Sequence, residues 1–344
     1  MINLRNDYSC IACEKILLRM LDLQNEVNPG YGLDEHSKRA EHLILKHLKS
    51  NDSKVYFLTG GTITNKVFIS HALRPHEAVI AIDSAHISCH ETGTIEQSGH
   101  KIINVKHSDG KIKVKDIQDV INIHRDEHMV KPKLVYITNA SEFGTIYSKK
   151  ELIEIYNFCK ANDLYLYLDG ARLGVALTSL HNDISLEDLA KYTDAFYIGG
   201  TKNGALLGEA LVINNKTLQN DFRYSIKHFG GMYAKGFVAG IQFEVLFEDN
   251  LFFDIALKQN NLAYKLRNEL IKLGLEFEID SPTNQLFPIF KKELVKRLEK
   301  DIMFELWTEY EDKQCIRFVT NFLLEESDIL KTIDIIRNAL WIYC

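Results

Sequence analysis

Two residues of this chain are placed to do chemistry. One is a lysine in a glycine-rich loop, Tyr197-Ile198-Gly199-Gly200-Thr201-Lys202-Asn203-Gly204. The other is an aspartate that ends an apolar run, Leu164-Tyr165-Leu166-Tyr167-Leu168-Asp169. An amine forms a Schiff base with an aldehyde, and a carboxylate at the carboxyl end of a strand holds a protonated ring nitrogen. Pyridoxal phosphate needs both, one covalent anchor and one partner for its ring. Asp169 runs on into Gly170-Ala171-Arg172, so a guanidinium is expected beside the carboxylate, keeping it charged. The plainer readings are a structural Asp–Arg pair and a solvent-facing lysine. Against the second, glycines flank Lys202 on both sides, as a closely approached backbone requires.

A second motif, Thr59-Gly60-Gly61-Thr62-Ile63-Thr64-Asn65, follows an apolar run and opens a helical stretch. Glycines permit close approach, helix-start N–H groups face outward and Thr62 adds a hydroxyl, which together favour a phosphate. The motif has neither the P-loop lysine nor the GxGxxG spacing, and an ordinary turn has the same composition. His86, in Asp83-Ser84-Ala85-His86, can lay its ring against a flat cofactor or simply serve a turn; His90 and Glu91 can support it or lie on the surface. No histidine spacing suggests a metal.

The segments that carry these residues alternate between β-rich and helical. Val55 to Leu58, Ala78 to Ile82, Leu134 to Ile137, Leu164 to Leu168 and Ala195 to Ile198 are apolar with little polar alternation, as in a mostly parallel sheet covered on both faces. The fold class is α/β. In such sheets ligands gather beyond the carboxyl ends of the strands, where Asp169, Lys202, Gly60, Gly61, Thr62, Asn139 and His86 all fall. After Asp249 the pattern changes to a long helical stretch, short strands at Leu275 to Ile279, Leu286 to Phe290 and Ile316 to Thr320, a helix near Leu294 to Leu298, and a final helix with Ile329, Ile333, Ile336 and Leu340 on one face. We expect a large domain over residues 1–248 and a smaller α+β domain over 249–344.

The 344 residues carry a net charge of −6, without basic arms or charge runs, so nucleic acid is not the expected partner and a small molecule is. No apolar run approaches the ~20 residues that span a bilayer. The early charges of Met1 to Asp7 are unlike a secretory leader, and a cytoplasmic protein is expected. Cys10, Cys13, Cys89, Cys159, Cys315 and Cys344 follow no disulfide framework; Cys10-x-x-Cys13 lacks the second pair of a zinc site. We read all six as reduced, structural thiols.

Leu168-Asp169-Gly170-Ala171-Arg172-Leu173, Gly199-Gly200-Thr201-Lys202-Asn203-Gly204 and Gly208-Glu209-Ala210-Leu211-Val212 together resemble the low-specificity L-threonine aldolases and the wider β-eliminating lyases of the aspartate-aminotransferase fold (fold type I). The likeness continues through Arg5-Asn6-Asp7, Tyr31-Gly32-Leu33-Asp34, Ala85-His86-Ile87, Gly230-Gly231-Met232, Thr283-Asn284 and Ile316-Arg317-Phe318-Val319-Thr320. The resemblance implies that Lys202 anchors pyridoxal phosphate, Asp169 meets its ring nitrogen and His86 stacks on the ring. It implies phosphate or cofactor contacts from Gly60, Gly61, Thr62, Asn65, Asn139, Arg172 and Thr201, and a substrate-carboxylate site of Asn6, Arg172 and Arg317. The implied reaction cleaves Cα–Cβ of a β-hydroxy-α-amino acid, L-threonine or L-allo-threonine, to glycine and acetaldehyde. A homodimer or homotetramer with a shared active site is implied too. The sequence departs from the family pattern at Asn139-Ala140-Ser141-Glu142, where a histidine often follows Asn-Thr. It departs again at Tyr233, in place of a common arginine that Lys227, His228 or Lys235 would have to replace. Ser141 and Tyr233 keep open β-elimination, racemisation or transamination, and a non-catalytic protein on this scaffold is the third reading.

Overall fold

The computed structural model describes residues 1–341, so Cys344 lies outside the described residues. After a two-residue strand, β1 (Ile2–Asn3), the chain builds a seven-stranded sheet. Its strands are β2 (Lys54–Leu58), β3 (Glu77–Ile82), β4 (Ile102–Val105), β5 (Lys131–Thr138), β6 (Tyr165–Asp169), β7 (Ala195–Gly199) and β8 (Glu209–Ile213), in the order β2-β8-β7-β6-β5-β3-β4. β8 runs antiparallel to both its neighbours, and the pairs from β7 through to β4 are parallel. β3, β7 and β8 are buried along their whole length, which explains their lack of polar alternation.

Helices connect the parallel strands: Gly61–Ala72 from β2 to β3, Val114–Ile123 from β4 to β5, and Lys149–Ala161 from β5 to β6. The last of these starts where its sequence dictates. The Ser148 hydroxyl accepts from the Glu151 N–H, and the Glu151 carboxylate accepts from the Ser148 N–H, so two otherwise unpaired donors are satisfied reciprocally. Phe237–Glu248 is mostly apolar and buried from Ala239 to Phe247, with Gln242 and Glu244 as buried polar exceptions, as suits a helix inside the core.

The carboxyl-terminal third holds β9 (Gln285–Leu286), β10 (Ile289–Lys291), β11 (Ile302–Met303), β12 (Glu305–Glu309) and β13 (Lys313–Val319). β13 pairs antiparallel with β9, β10 and β12, while β1 pairs in parallel with β11. The expected strand from Leu286 to Phe290 is divided at Phe287-Pro288, because proline has no N–H to donate to the ladder; the Pro288 carbonyl still accepts from the Ile316 N–H. The expected strand from Leu275 to Ile279 shrinks to one bridge, Phe277 with Pro288.

Two apolar clusters form. The larger surrounds the seven-stranded sheet, and the second collects Leu4, Leu262, Leu266, Leu270, Ile316, Phe318, Ile329, Ile333 and Ile336. The helix Leu251–Lys272 serves both, with Phe252 and Ile255 in the first and Leu262 to Leu270 in the second. The final helix, Glu326–Trp341, buries the stripe seen in the sequence, with Leu340 packed at its edge. Cys10, Cys13, Cys89, Cys159 and Cys315 are free thiols. Among the described residues no cluster of three or more His, Cys, Asp or Glu is arranged to hold a metal, and no helix is long and apolar enough to cross a membrane.

Candidate active site

The carboxyl ends of β6 and β7 and the turns after β2, β3 and β5 meet at a cleft of about 210 Å³. It is lined by Thr59, Gly60, Gly61, Thr62, His86, Glu142, Asp169, Ala171, Tyr197, Thr201, Lys202, Leu207 and Glu209. Seven of the residues singled out in the sequence line it together: Gly60, Gly61, Thr62, His86, Asp169, Thr201 and Lys202. Asn6, Asn65, Asn139, Arg172 and Arg317 lie outside its lining.

Asp169 is buried at the end of β6. Its Oδ2 accepts from Asn65 Nδ2 at 3.0 Å and from the Tyr136 hydroxyl, and its Oδ1 accepts from the Ala171 N–H at 2.9 Å. The carboxylate is therefore fixed by three donors. Gly170 is required next to it, since a methyl group there would run into the Tyr197 carbonyl of β7. The Asn65 side chain is committed elsewhere as well: its Nδ2 also donates to Glu91 Oε1 at 2.8 Å, and its Oδ1 accepts from the Tyr167 hydroxyl at 3.1 Å. All its polar atoms are spent beneath the cleft.

Glu91 ties this support to His86. Its Oε1 lies 2.8 Å from His86 Nδ1, which makes Nδ1 the donor, and its Oε2 accepts from Thr94 Oγ1. Burial alone would lower the imidazole; the Glu91 hydrogen bond and the charges of Asp169 and Glu142 outweigh it and raise it above the ordinary histidine value. Glu91 is one of the surface-or-support alternatives that the structure resolves, as a support.

The expected Asp169–Arg172 pair does not form. Arg172 donates from Nε to Asp7 Oδ2 at 2.8 Å and from Nη2 to Asp7 Oδ1 at 3.0 Å, and Asn284 Nδ2 donates to the same Oδ2 at 3.1 Å. Three residues along a strand end and turn, Arg172 has swung away from Asp169 to the amino-terminal segment. Its two-pronged face is occupied by Asp7, and Nη1 is left 3.9 Å from Glu142 Oε2. The Oδ1 of Asn6 accepts from Tyr8 N–H and Ser9 Oγ in its own turn. Asn139 Oδ1 accepts from the Tyr147 N–H in the loop after β5, while its Nδ2 is buried with no hydrogen-bond partner among the described residues. Arg317 on β13 likewise has its Nε buried with no hydrogen-bond partner among the described residues, and its guanidinium lies over the Trp307 ring at 5.3 Å.

Charges in and around the cleft set its electrostatics. Burial, then the charge of Arg172, pushes the Lys202 ammonium below the ordinary lysine value, although Asp7, Glu142 and Asp169 act the other way. A neutral, nucleophilic amine is therefore reached at lower pH than for a free lysine. Burial alone would raise Glu142, but Arg172, Lys202, His86 and Arg317 hold it below the usual glutamate range. Burial and Arg172 then lower Arg317 in turn. An uncommitted, buried guanidinium nitrogen beside this cluster is a site for an anion.

On the opposite side, Gly61 and Thr62 start a helix, and a Cβ at Gly61 would lie 3.1 Å from the Tyr197 hydroxyl. Thr201 Oγ1 donates to Glu209 Oε1 at 2.8 Å, and Gly200 N–H donates to Glu209 Oε2 at 2.8 Å. Glu209 stood in the sequence only as part of a motif; nothing local marks a glutamate in a buried strand as part of a site. Lys227, His228 and Lys235 are exposed and do not line the cleft. The Ser141 hydroxyl bonds to Thr145, and Tyr233 lines a separate hollow with Arg223 and Met232, so neither enters the cleft.

The family model described as Beta-eliminating lyase matches residues 3–292. The chain belongs to this family. The matched span contains every residue of the cleft lining and stops short of Arg317. Over 261 residues the chain is 31% identical to the low specificity L-threonine aldolase of Pseudomonas sp. (strain NCIMB 10558), covering 75% of each. Its structure matches the threonine aldolase of Leishmania major with a TM-score of 0.97 and 43% identity, covering 98% of this chain and 99% of that one. The histidinol-phosphate aminotransferase of Clostridium acetobutylicum shares the fold at a TM-score of 0.74 and 16% identity, over 98% of both chains. The mostly parallel sheet with a small antiparallel sheet is thus the fold type I arrangement of β-eliminating lyases and aminotransferases.

Proposed function

We propose that the protein is a pyridoxal-phosphate-dependent lyase that cleaves Cα–Cβ of β-hydroxy-α-amino acids, L-threonine or L-allo-threonine, to glycine and acetaldehyde. The observation that carries this reading is the convergence of Lys202, Asp169, His86 and the Gly60-Gly61-Thr62 turn on one cleft. These residues fit the cofactor. Asp169 offers a fixed carboxylate for the ring nitrogen, Lys202 an amine for the aldehyde, His86 a ring face, and the helix start and Thr201 donors for phosphate. When bound, pyridoxal phosphate supplies an electron sink for the pair left at Cα.

The protein's own residues do the rest. Lys202, whose burial favours the neutral amine, would hold the cofactor's aldehyde until the substrate amine takes its place. Arg317 Nε, with Arg172 Nη1 beside it, binds the substrate carboxylate, and this orients the Cα–Cβ bond for cleavage. Arg172 therefore acts at one nitrogen rather than through its whole fork, which Asp7 holds. The ionised carboxylate of Glu142 takes the proton of the β-hydroxyl as the bond breaks, the task for which the sequence lacks the common histidine. With pyridoxal phosphate present, L-threonine or L-allo-threonine is expected to give glycine and acetaldehyde in equal amounts, followed by amino-acid analysis and an alcohol dehydrogenase couple. A keto acid without glycine would replace this reading by elimination or transamination, and no product from either substrate would remove it.

The free thiols support a reducing compartment, in keeping with a cytoplasmic protein. A homodimer or homotetramer is supported by an uncovered apolar face: Leu17, Leu18 and Leu21 on the helix Glu14–Asp22 are 42%, 53% and 58% exposed, and Val27 is 94% exposed. Among the described residues Lys202 is also the one lysine or arginine in the cleft lining, in keeping with a second copy that completes the phosphate side. Multi-angle light scattering is expected to give a dimer or tetramer mass; a monomer at micromolar concentration would overturn this.

A further inference from the structure

Glu209 is out of place on the phosphate side of a cofactor cleft, where a second negative charge opposes binding. It is 4% exposed, and it pairs in register with Leu58 on β2 and with Gly199 on β7. It therefore sits between the two loops that hold the phosphate donors, Thr59 to Thr62 on one side and Gly200-Thr201 on the other. Both its oxygens point at the second loop: Oε2 accepts from the Gly200 N–H and Oε1 from the Thr201 hydroxyl. Thr201 Oγ1 in turn accepts from the Gly208 N–H at 3.2 Å. While Glu209 is ionised, the single hydrogen of Thr201 is committed to it and cannot face the cleft.

We propose that Glu209 is a positioning residue that takes up one proton when a phosphate enters the cleft. The inference rests on the cofactor reading given above. The proton comes from solvent to Glu209 Oε1, which becomes the donor to Thr201 Oγ1. The Thr201 hydrogen then turns to a phosphate oxygen, and the Gly208 N–H remains accepted throughout. One carboxylate charge disappears as the phosphate charge arrives. The groups facing Glu209 are Lys202 in the loop, Asp169 and Tyr167 on β6 and Tyr197 on β7. Burial, aided by Asp169 and opposed by Thr201, Gly200 and Lys202, pushes the Glu209 carboxyl up to about 7, so the uptake falls in an accessible range.

The test compares pyridoxal phosphate with pyridoxal, which shares the aldehyde and ring but lacks the phosphate, so that contributions of Lys202, His86 and Asp169 cancel. Titration calorimetry at pH 8 in buffers of different ionisation enthalpy should show pyridoxal phosphate taking up close to one proton more than pyridoxal. The affinity ratio of the two ligands should fall roughly tenfold relative to Glu209→Gln on going from pH 6 to pH 8, the effect of one group with a pKa near 7. In Glu209→Gln, whose amide donates to Thr201 at every pH, the extra proton should vanish and the ratio at pH 8 should exceed that of wild type. Equal proton uptake for the two ligands in wild type overturns the proposal without any variant, as does the same extra proton in Glu209→Gln. Binding of both ligands with no such difference overturns the relay alone; failure of pyridoxal phosphate to bind overturns the cofactor reading with it.

Discussion

Replacing Lys202 with alanine is expected to remove the borohydride-fixable link between protein and pyridoxal phosphate and to slow L-threonine cleavage by about ten-thousand-fold or more, the scale of losing a covalent catalytic group. The expectation follows from position. Lys202 is the only amine in the cleft lining among the described residues, and the lining also carries the carboxylate that would hold the ring. Mass spectrometry after borohydride treatment reads the link directly; an adduct of unchanged yield in Lys202→Ala would move the anchor elsewhere. In wild type, burial and Arg172 lower the Lys202 ammonium, so adduct formation should reach its plateau below the pH at which an ordinary lysine loses its proton.

Asp7→Ala should lower the stability of the protein by about 3–5 kcal/mol, the cost of leaving a buried charge without its partner. Asp7 and Arg172 have side chains 1% and 4% exposed, and Arg317 and Lys202 repel the orphaned guanidinium further. The pH dependence has a definite sign. Burial would raise Asp7, but Arg172, Lys202 and Asn284 hold it below the usual value of 3.8. A depressed carboxyl contributes stability that is complete above about pH 4 and is lost as the pH falls through its folded value. The gap in urea midpoint between wild type and Asp7→Ala should therefore be constant from neutrality to about pH 4 and close below it. A variant as stable as wild type at pH 7 would show that Arg172 finds another counter-charge.

What the sequence discloses and what it withholds divide along a physical line. The strands of the large sheet are legible because burial on both faces forces unbroken apolar runs, and the turn after each run then falls at the cleft. Lys202, Asp169, His86 and Gly61 are found in that way, and family likeness assigns their tasks. Partnerships across the chain are not legible: Arg172 with Asp7 and Asn65 with Asp169 join segments whose distance in sequence carries no local signal, whereas Glu91, five residues from His86, already stood as its possible support. The Arg172 expectation failed because three residues of separation suggest a neighbour, whereas the turn after β6 sends the two side chains to different partners. Glu209 was hidden for another reason. In sequence it is one polar residue at the end of a buried strand, and its significance depends on two flanking strands that bring their loops to it.

The pairing of β1 with β11 imposes an order on biosynthesis. Ile2 and Asn3 hydrogen-bond beside Ile302 and Met303, and Leu4 is buried in the second apolar cluster. During translation residues 2 and 3 must wait for residues 302 and 303 before they find their strand, roughly 15–60 s at about 5–20 residues per second. Asp7, only a few positions along, shares that tether, so the guanidinium of Arg172 gains a firmly held counter-ion late. The counter-charge of a guanidinium near the cleft is thus secured by a contact that closes only after the large sheet framing the cleft has already been made.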